Sequence, residues 1–141
     1  MITIKIDTEL TPDIHKFLEN EWVIADKKNI GKALDWDKKT IFFNAYQEDE
    51  LVGSLELNYQ EGVMCIEDLI VKNDKQGLGV GSLLMNKAEE LAKKEKLHKI
   101  YLETGRTWEA RRLYEKLGYV KTGLLENHFA NQDYVIYTKF L

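Results

Sequence analysis

Gln76-Gly77-Leu78-Gly79-Val80-Gly81-Ser82 sets three glycines at every second position, directly before an amphipathic run. Glycine admits positive φ and lets the backbone come close to a ligand. Consecutive N–H groups can then converge with the unsatisfied donors of a helix start, where the helix dipole adds partial positive charge. The natural guest is phosphate or pyrophosphate. The run beyond predicts a helix, with Leu84, Ala88 and Leu91 on one face and Lys87, Glu90, Lys93 and Lys94 on the other.

Two other nucleotide loops fit less well. A P-loop needs Gly-Lys-Ser/Thr, and no lysine follows Gly81. A dinucleotide fingerprint is nearly met by Gly77, Gly79 and Ser82, with Glu103 downstream. Its glycines should follow a strand directly, however, and here Lys72–Gln76 intervene.

Upstream of the loop lie three strand-like runs, Thr40–Gln47, Leu51–Tyr59 and Val63–Val71. The short polar turns Glu48-Asp49-Glu50 and Gln60-Glu61-Gly62 join them, which implies an antiparallel meander. Met1–Asp7 alternates as a strand does. Thr11 and Pro12 open a helix carrying Ile14, Phe17, Leu18 and Trp22, and a second short helix is expected over Asp26–Leu34. Downstream come a strand at Lys99–Glu103 and a helix capped by Thr107, with Ala110, Leu113, Tyr114 and Leu117 on one face. Gly118 closes that helix as a left-handed cap, and strands at Tyr119–Thr122 and Tyr134–Phe140 follow. The expected order is β-α-α-β-β-β-α-β-α-β-β, a mixed α/β (α+β) sheet.

The chain has 141 residues, the size of one domain, and its single proline and lack of a Gly/Ser-rich linker suggest no boundary within 1–141. A net charge of -4 argues against nucleic acid as the main partner. No apolar run is long enough to span a bilayer. The one cysteine, Cys65, cannot form an internal disulfide and suits a reducing, cytoplasmic setting. His15, His98 and His128 have no ligand spacing, so no metal site is expected.

Residue by residue, Gln76, Gly79 and Gly81 fit Q/R-x-x-G-x-G/A, and Ala110-Arg111-Arg112-Leu113-Tyr114-Glu115-Lys116-Leu117-Gly118-Tyr119 is close to A-x-x-L-Y-E-K-x-G-F. With these two motifs about 30 residues apart and a strand between them, residues 63–123 resemble the GCN5-related N-acetyltransferase (GNAT) superfamily. The element order extends the likeness along the chain.

The resemblance implies a strongly bent mixed sheet flanked by helices. The strands Val63–Val71 and Lys99–Glu103 splay, and the pantetheine arm of acetyl-CoA lies between them. Backbone groups of Leu69, Ile70 and Val71 would pair with the pantetheine amides. The N–H groups of Gly77, Leu78, Gly79, Val80, Gly81 and Ser82, with the Gln76 side chain, would hold the pyrophosphate. Tyr114 matches the residue that protonates the departing thiolate, and a phenol is a plausible donor to a thiolate. Glu67 is the expected base for the amine, acting through a water, and the Leu69 N–H would stabilise the oxyanion.

Strand alternation would point Asp68 to the opposite face from Glu67, unless a bulge intervenes. Thr107 stands where the family often has asparagine, a further cofactor contact. Trp22, Tyr46, Asp68 and His128 are expected near the acceptor, together with Phe129, while Trp36 and Trp108 could be core or pocket wall. The activity implied is direct acetyl transfer from acetyl-CoA, the co-substrate, to a primary amine in a ternary complex. The acceptor would be a small-molecule amine or a peptide amine, and a homodimer stays open. The alternatives are a non-catalytic acyl-CoA-binding domain and a dinucleotide enzyme.

Overall fold

A computed structural model describes residues 1–141 and divides the chain into two compact units, residues 1–36 and 37–141. The first unit holds helix α1, Pro12–Ile30. Thr11 Oγ1 accepts from the Ile14 N–H at 3.3 Å, Pro12 begins the first turn, and Gly31 ends the helix at φ 93°.

The second helix expected over Asp26–Leu34 does not form, because α1 runs on to Ile30. Asp26 is the reason its surroundings read ambiguously. Its buried carboxylate accepts from the Leu34 N–H at 3.2 Å and from Trp36 Nε1 at 2.9 Å, folding the exit segment back on the helix. The strand expected over Met1–Asp7 is also absent, and Ile2, Ile4 and Ile6 are exposed. Alternation specifies a face but supplies no partner, and the sheet ends at a strand that does not pair with this segment.

The second unit is a six-stranded sheet in the order β1-β2-β3-β4-β6-β5. Its strands are β1 (Lys39–Gln47), β2 (Glu50–Gln60), β3 (Val63–Val71), β4 (Lys99–Gly105), β5 (Val120–Leu125) and β6 (Tyr134–Phe140). The β1–β2–β3 meander is antiparallel, as the two short turns imply. The β3–β4 pair is parallel, which requires the long connection through helix α2, Val80–Lys94. Helix α3, Ala110–Lys116, connects β4 to β5.

One sheet face carries the core. Leu55, Leu57, Met64, Ile66, Ile100 and Leu102 meet Leu84, Met85, Ala88 and Ala92 of α2. Each large apolar side chain buried this way contributes roughly 1.5–3 kcal/mol, so the seam fixes α2, and with it the loop at its N-terminus, against β2–β4. Tyr114 of α3 joins the same cluster beside Tyr119 and Tyr137.

Candidate active site

Pairing between β3 and β4 is short. It covers Val63–Lys99, Met64–Ile100 and Cys65–Tyr101, and then stops. Beyond Cys65, β3 still pairs with β2 as far as Val71, so its other edge keeps unpaired backbone groups facing β4. The gap is a cleft of about 640 Å³. Ile66–Val71 line one side and Leu102–Thr104 the other, with Gly79–Ser82, Leu113 and Tyr114 along its length.

The β2–β3 register slips between Glu56–Asp68 and Leu57–Ile66, so Glu67 is an extra residue in β3. Cross-strand partners share a face, which puts Ile66 with Leu57 and Leu69 with Leu55, on the core side. Two residues rather than one separate Ile66 from Leu69, and both Glu67 and Asp68 therefore point to the other side. This corrects the alternation that set Asp68 opposite Glu67. Asn58 Nδ2 donates to Glu67 Oε1 at 2.6 Å. Cys65, just before the bulge, shares a hydrogen bond with the Tyr101 hydroxyl, and burial pushes its thiol up to about 11.

In the glycine loop, Gly77 and Gly79 take φ 80° and 86°, the left-handed region that disfavours a Cβ. Gly81 serves another purpose: a Cβ there would lie 3.1 Å from Leu113 Cδ2, so it permits close packing of α2 on α3. No side chain caps α2, no acidic residue sits in its first turn, and its first closed hydrogen bond is Leu83 N–H to the Gly79 carbonyl at 3.0 Å. The donors of Val80, Gly81 and Ser82 thus point out of the helix with no intrahelical acceptor. The Gln76 side chain turns inward, donating from Nε2 to the Val71 carbonyl at 3.3 Å. It braces the loop on β3, a different contact from the anion contact expected for it. Leu78 is exposed and does not line the cleft.

Tyr114 lines the cleft and is buried, which pushes its phenol up to about 12. Of the acceptor residues expected, Asp68 lines the cleft. His128 does not, but its Nε2 lies 3.6 Å from Oε1 of Glu103, which does. Tyr46 is exposed at the far end of β1, outside the lining. Trp22 belongs to the first unit, its ring centroid 6.2 Å from that of Trp36. Thr107 neither lines the cleft nor caps α3, whose N-cap position is Glu109. The chain after Gly105 first makes a tight turn closed by Trp108 N–H to the Gly105 carbonyl, which delays the helix past Thr107.

The family resemblance sets Lys99–Glu103 along the cleft, but Glu103 entered the sequence reading only through the dinucleotide fingerprint. Glu103 stands two residues beyond Tyr101, just as Glu67 stands two beyond its partner Cys65. Applying to β4 the reading given to β3 would have found it. Trp108, read from the sequence as core or pocket wall, lines the cleft, as do Lys75 and Lys116, which carried no local signal. No group of three or more His, Cys, Asp or Glu side chains is placed to hold a metal ion.

The family model of the acetyltransferase (GNAT) family matches residues 8–119. The chain belongs to the GNAT acetyltransferase family. GNAT enzymes are N-acetyltransferases that draw the acetyl group from acetyl-CoA, which disposes of the dinucleotide and non-catalytic readings. The fold is similar to that of an acetyltransferase from Bacillus cereus, at 20% identity and TM-score 0.75 over 97% of this chain and 98% of that one. It is also similar to the ribosomal-protein-S18-alanine N-acetyltransferase of Escherichia coli, at 19% identity and TM-score 0.67 over 72% and 68%. A Bacillus anthracis protein in complex with acetyl coenzyme A matches at 24% identity and TM-score 0.67 over 87% and 68%. No curated protein matches the sequence. The cleft of this GNAT domain suits the donor: free N–H groups at the α2 start fit a pyrophosphate, and an unpaired strand edge fits an amide-bearing arm.

Proposed function

We propose that this enzyme acetylates a primary amine by direct attack on acetyl-CoA, with Glu67 as base through a water and Tyr114 as acid. The observation that carries the reading is a single cleft lined by Glu67, Tyr114 and the glycine loop together. Backbone groups of Leu69, Ile70 and Val71 hold the pantetheine amides, and the donors from Gly77 to Ser82 hold the pyrophosphate. The amine nitrogen attacks the thioester carbonyl, and the Leu69 N–H stabilises the oxyanion. As the C–N bond forms, the amine proton passes through water to Glu67, held by Asn58. The C–S bond then breaks and the thiolate takes the Tyr114 proton.

A phenol at about 12 is a weak acid against an ordinary thiol near 8.5. Burial penalises both anions alike, so a thiolate released into the same cleft is raised too and the mismatch narrows.

The test is an acetyl-CoA consumption assay over a panel of amines and peptides, run on wild type and Tyr114→Phe. We expect Tyr114→Phe to bind acetyl-CoA normally and to lose about ten-fold or more in kcat, in keeping with general-acid effects. Equal kcat in the two proteins would remove Tyr114 from the chemistry. Undiminished acetyl-CoA binding by Gly79→Asp, which adds bulk and negative charge to the loop, would move the pyrophosphate elsewhere.

A further inference from the structure

Trp108 does not pack into the core. The residue is 52% exposed and lines the cleft, and its ring lies over Gly105 so closely that a Cβ there would be 2.4 Å from Trp108 Cδ2. Gly105 pairs with Tyr134, and along β4 it follows Tyr101 and Glu103 in alternation. The indole therefore covers the sheet face that carries Glu67 and Asp68, not the one that α2 covers. From Trp108 the rings continue edge to face, to Tyr134 at 5.4 Å and from Tyr134 to Phe129 at 5.4 Å. His128 closes the row, 4.2 Å from Phe129.

The loop that presents Phe129 and His128 is firmly held. Asp133 Oδ1 accepts from the Asn127 N–H at 2.8 Å and Oδ2 from Arg106 Nη1 at 3.2 Å, while the Arg106 N–H donates to the Asp133 carbonyl at 3.0 Å. These contacts hold the Asp133 carboxyl below the usual carboxylate range. Three non-glycine residues in the loop, Asn127, Ala130 and Asn131, sit at positive φ. That conformation costs energy and persists only where the surroundings enforce it. A rigid, half-exposed aromatic ledge is thus built beside the cleft, where an isolated surface loop would hide its rings.

We propose that this ledge binds the acceptor, and that the acceptor is a primary amine on a flat aromatic body, an arylalkylamine. The inference rests on the acetyl-transfer reading above and deepens it. Charge complementarity selects the occupant. The carboxylates of Glu67, Asp68 and Glu103 line the cleft beside the ledge and attract an ammonium, and the Trp108 face offers stacking area for the ring attached to it. A long peptide would gain little from one half-exposed indole, and an aliphatic polyamine would leave the apolar ledge wet.

The test compares kcat/KM for 2-phenylethylamine, n-butylamine, 1,4-diaminobutane and an alanine-initiated tetrapeptide, with acetyl-CoA binding followed separately by calorimetry. We expect 2-phenylethylamine to exceed n-butylamine by about ten-fold or more, the scale of one ring's burial. Trp108→Ala should collapse that ratio through KM, Trp108→Phe should keep most of it, and Gly105→Ala should lower it by displacing the indole. The ratio is measured within each variant, so a partly misfolded preparation cancels out. Preference for the diamine or the peptide, or a ratio that Trp108→Ala leaves intact, overturns the arylalkylamine assignment while acetyl transfer stands. If acetyl-CoA binds to nothing and no amine is turned over, both fall.

Discussion

Asn58 Nδ2 donates to Glu67 Oε1 at 2.6 Å, beside the place where β2 and β3 lose register. A residue in a bulge lacks the ladder that would orient it, so this bond from the neighbouring strand fixes the carboxylate. Asn58→Ala should lower kcat/KM for the amine by about ten-fold, the scale of one hydrogen bond to a charged group. The KM for acetyl-CoA should hardly move. Parallel loss in both would mean that Asn58 acts on the fold.

Gly79 and Gly81 should respond differently to alanine. Gly79→Ala places a Cβ at φ 86°, costs about 1 kcal/mol, and should weaken acetyl-CoA binding through the altered loop. Gly81→Ala meets only the far end of a leucine side chain, 3.1 Å away, and should shift Leu113. Its defect should shrink when Leu113 is shortened to valine, whereas that of Gly79→Ala should not. Melting temperatures and calorimetric affinities of the two single and two double variants decide the matter.

Alkaline stability should report on Tyr114. Its phenol, near 10 in an unfolded chain, is pushed up to about 12 in the folded protein by burial. The folded state then holds a proton that the unfolded state has released. The stabilisation is complete below pH 10 and is lost as pH rises towards 12. Tyr119 shifts the same way, through burial and the nearby Glu89 carboxylate. Denaturant midpoints should therefore fall across this window, and Tyr114→Phe should remove about 2 kcal/mol of the fall. An unchanged slope would contradict the burial argument.

Lys139 Nζ meets both Glu89 oxygens at 3.1 Å and the Leu117 carbonyl at 2.8 Å, tying β6 to α2 and to the end of α3. Both side chains are mostly buried. Lys139→Met leaves the Glu89 charge uncompensated and should cost about 3 kcal/mol. Adding Glu89→Met should recover much of that loss. Chemical denaturation of the two variants measures both effects.

The loop and the helices after it were legible because their signals are local. Glycines before an amphipathic run specify a helix start, and Ala110, Leu113, Tyr114 and Leu117 specify a buried stripe. The meander was legible from turns too short for anything else. Three features depend on contacts between distant residues, and no local pattern contains them. The bulge at Glu67 is a property of two strands in register. The inward turn of Gln76 depends on a free carbonyl at Val71. The fold-back of the segment after α1 depends on Asp26 capturing Trp36. Met1–Asp7 erred in the other direction, since a strand pattern without a partner strand is only a pattern.

The extra residue in β3 is absorbed without disturbing its neighbours. Leu57–Ile66, Glu56–Asp68 and Leu55–Leu69 are the pairs a regular ladder would make if Glu67 were absent. Removing Glu67 would therefore restore plain alternation, with Ile66 inward, Asp68 outward and Leu69 inward, and the cleft wall would stay in phase. What would go is the local bend and added twist of the bulge, together with one of two carboxylates. Strict alternation forbids two successive side chains on one side of a strand. A single inserted residue lifts that prohibition at one point and lets β3 present an acidic doublet.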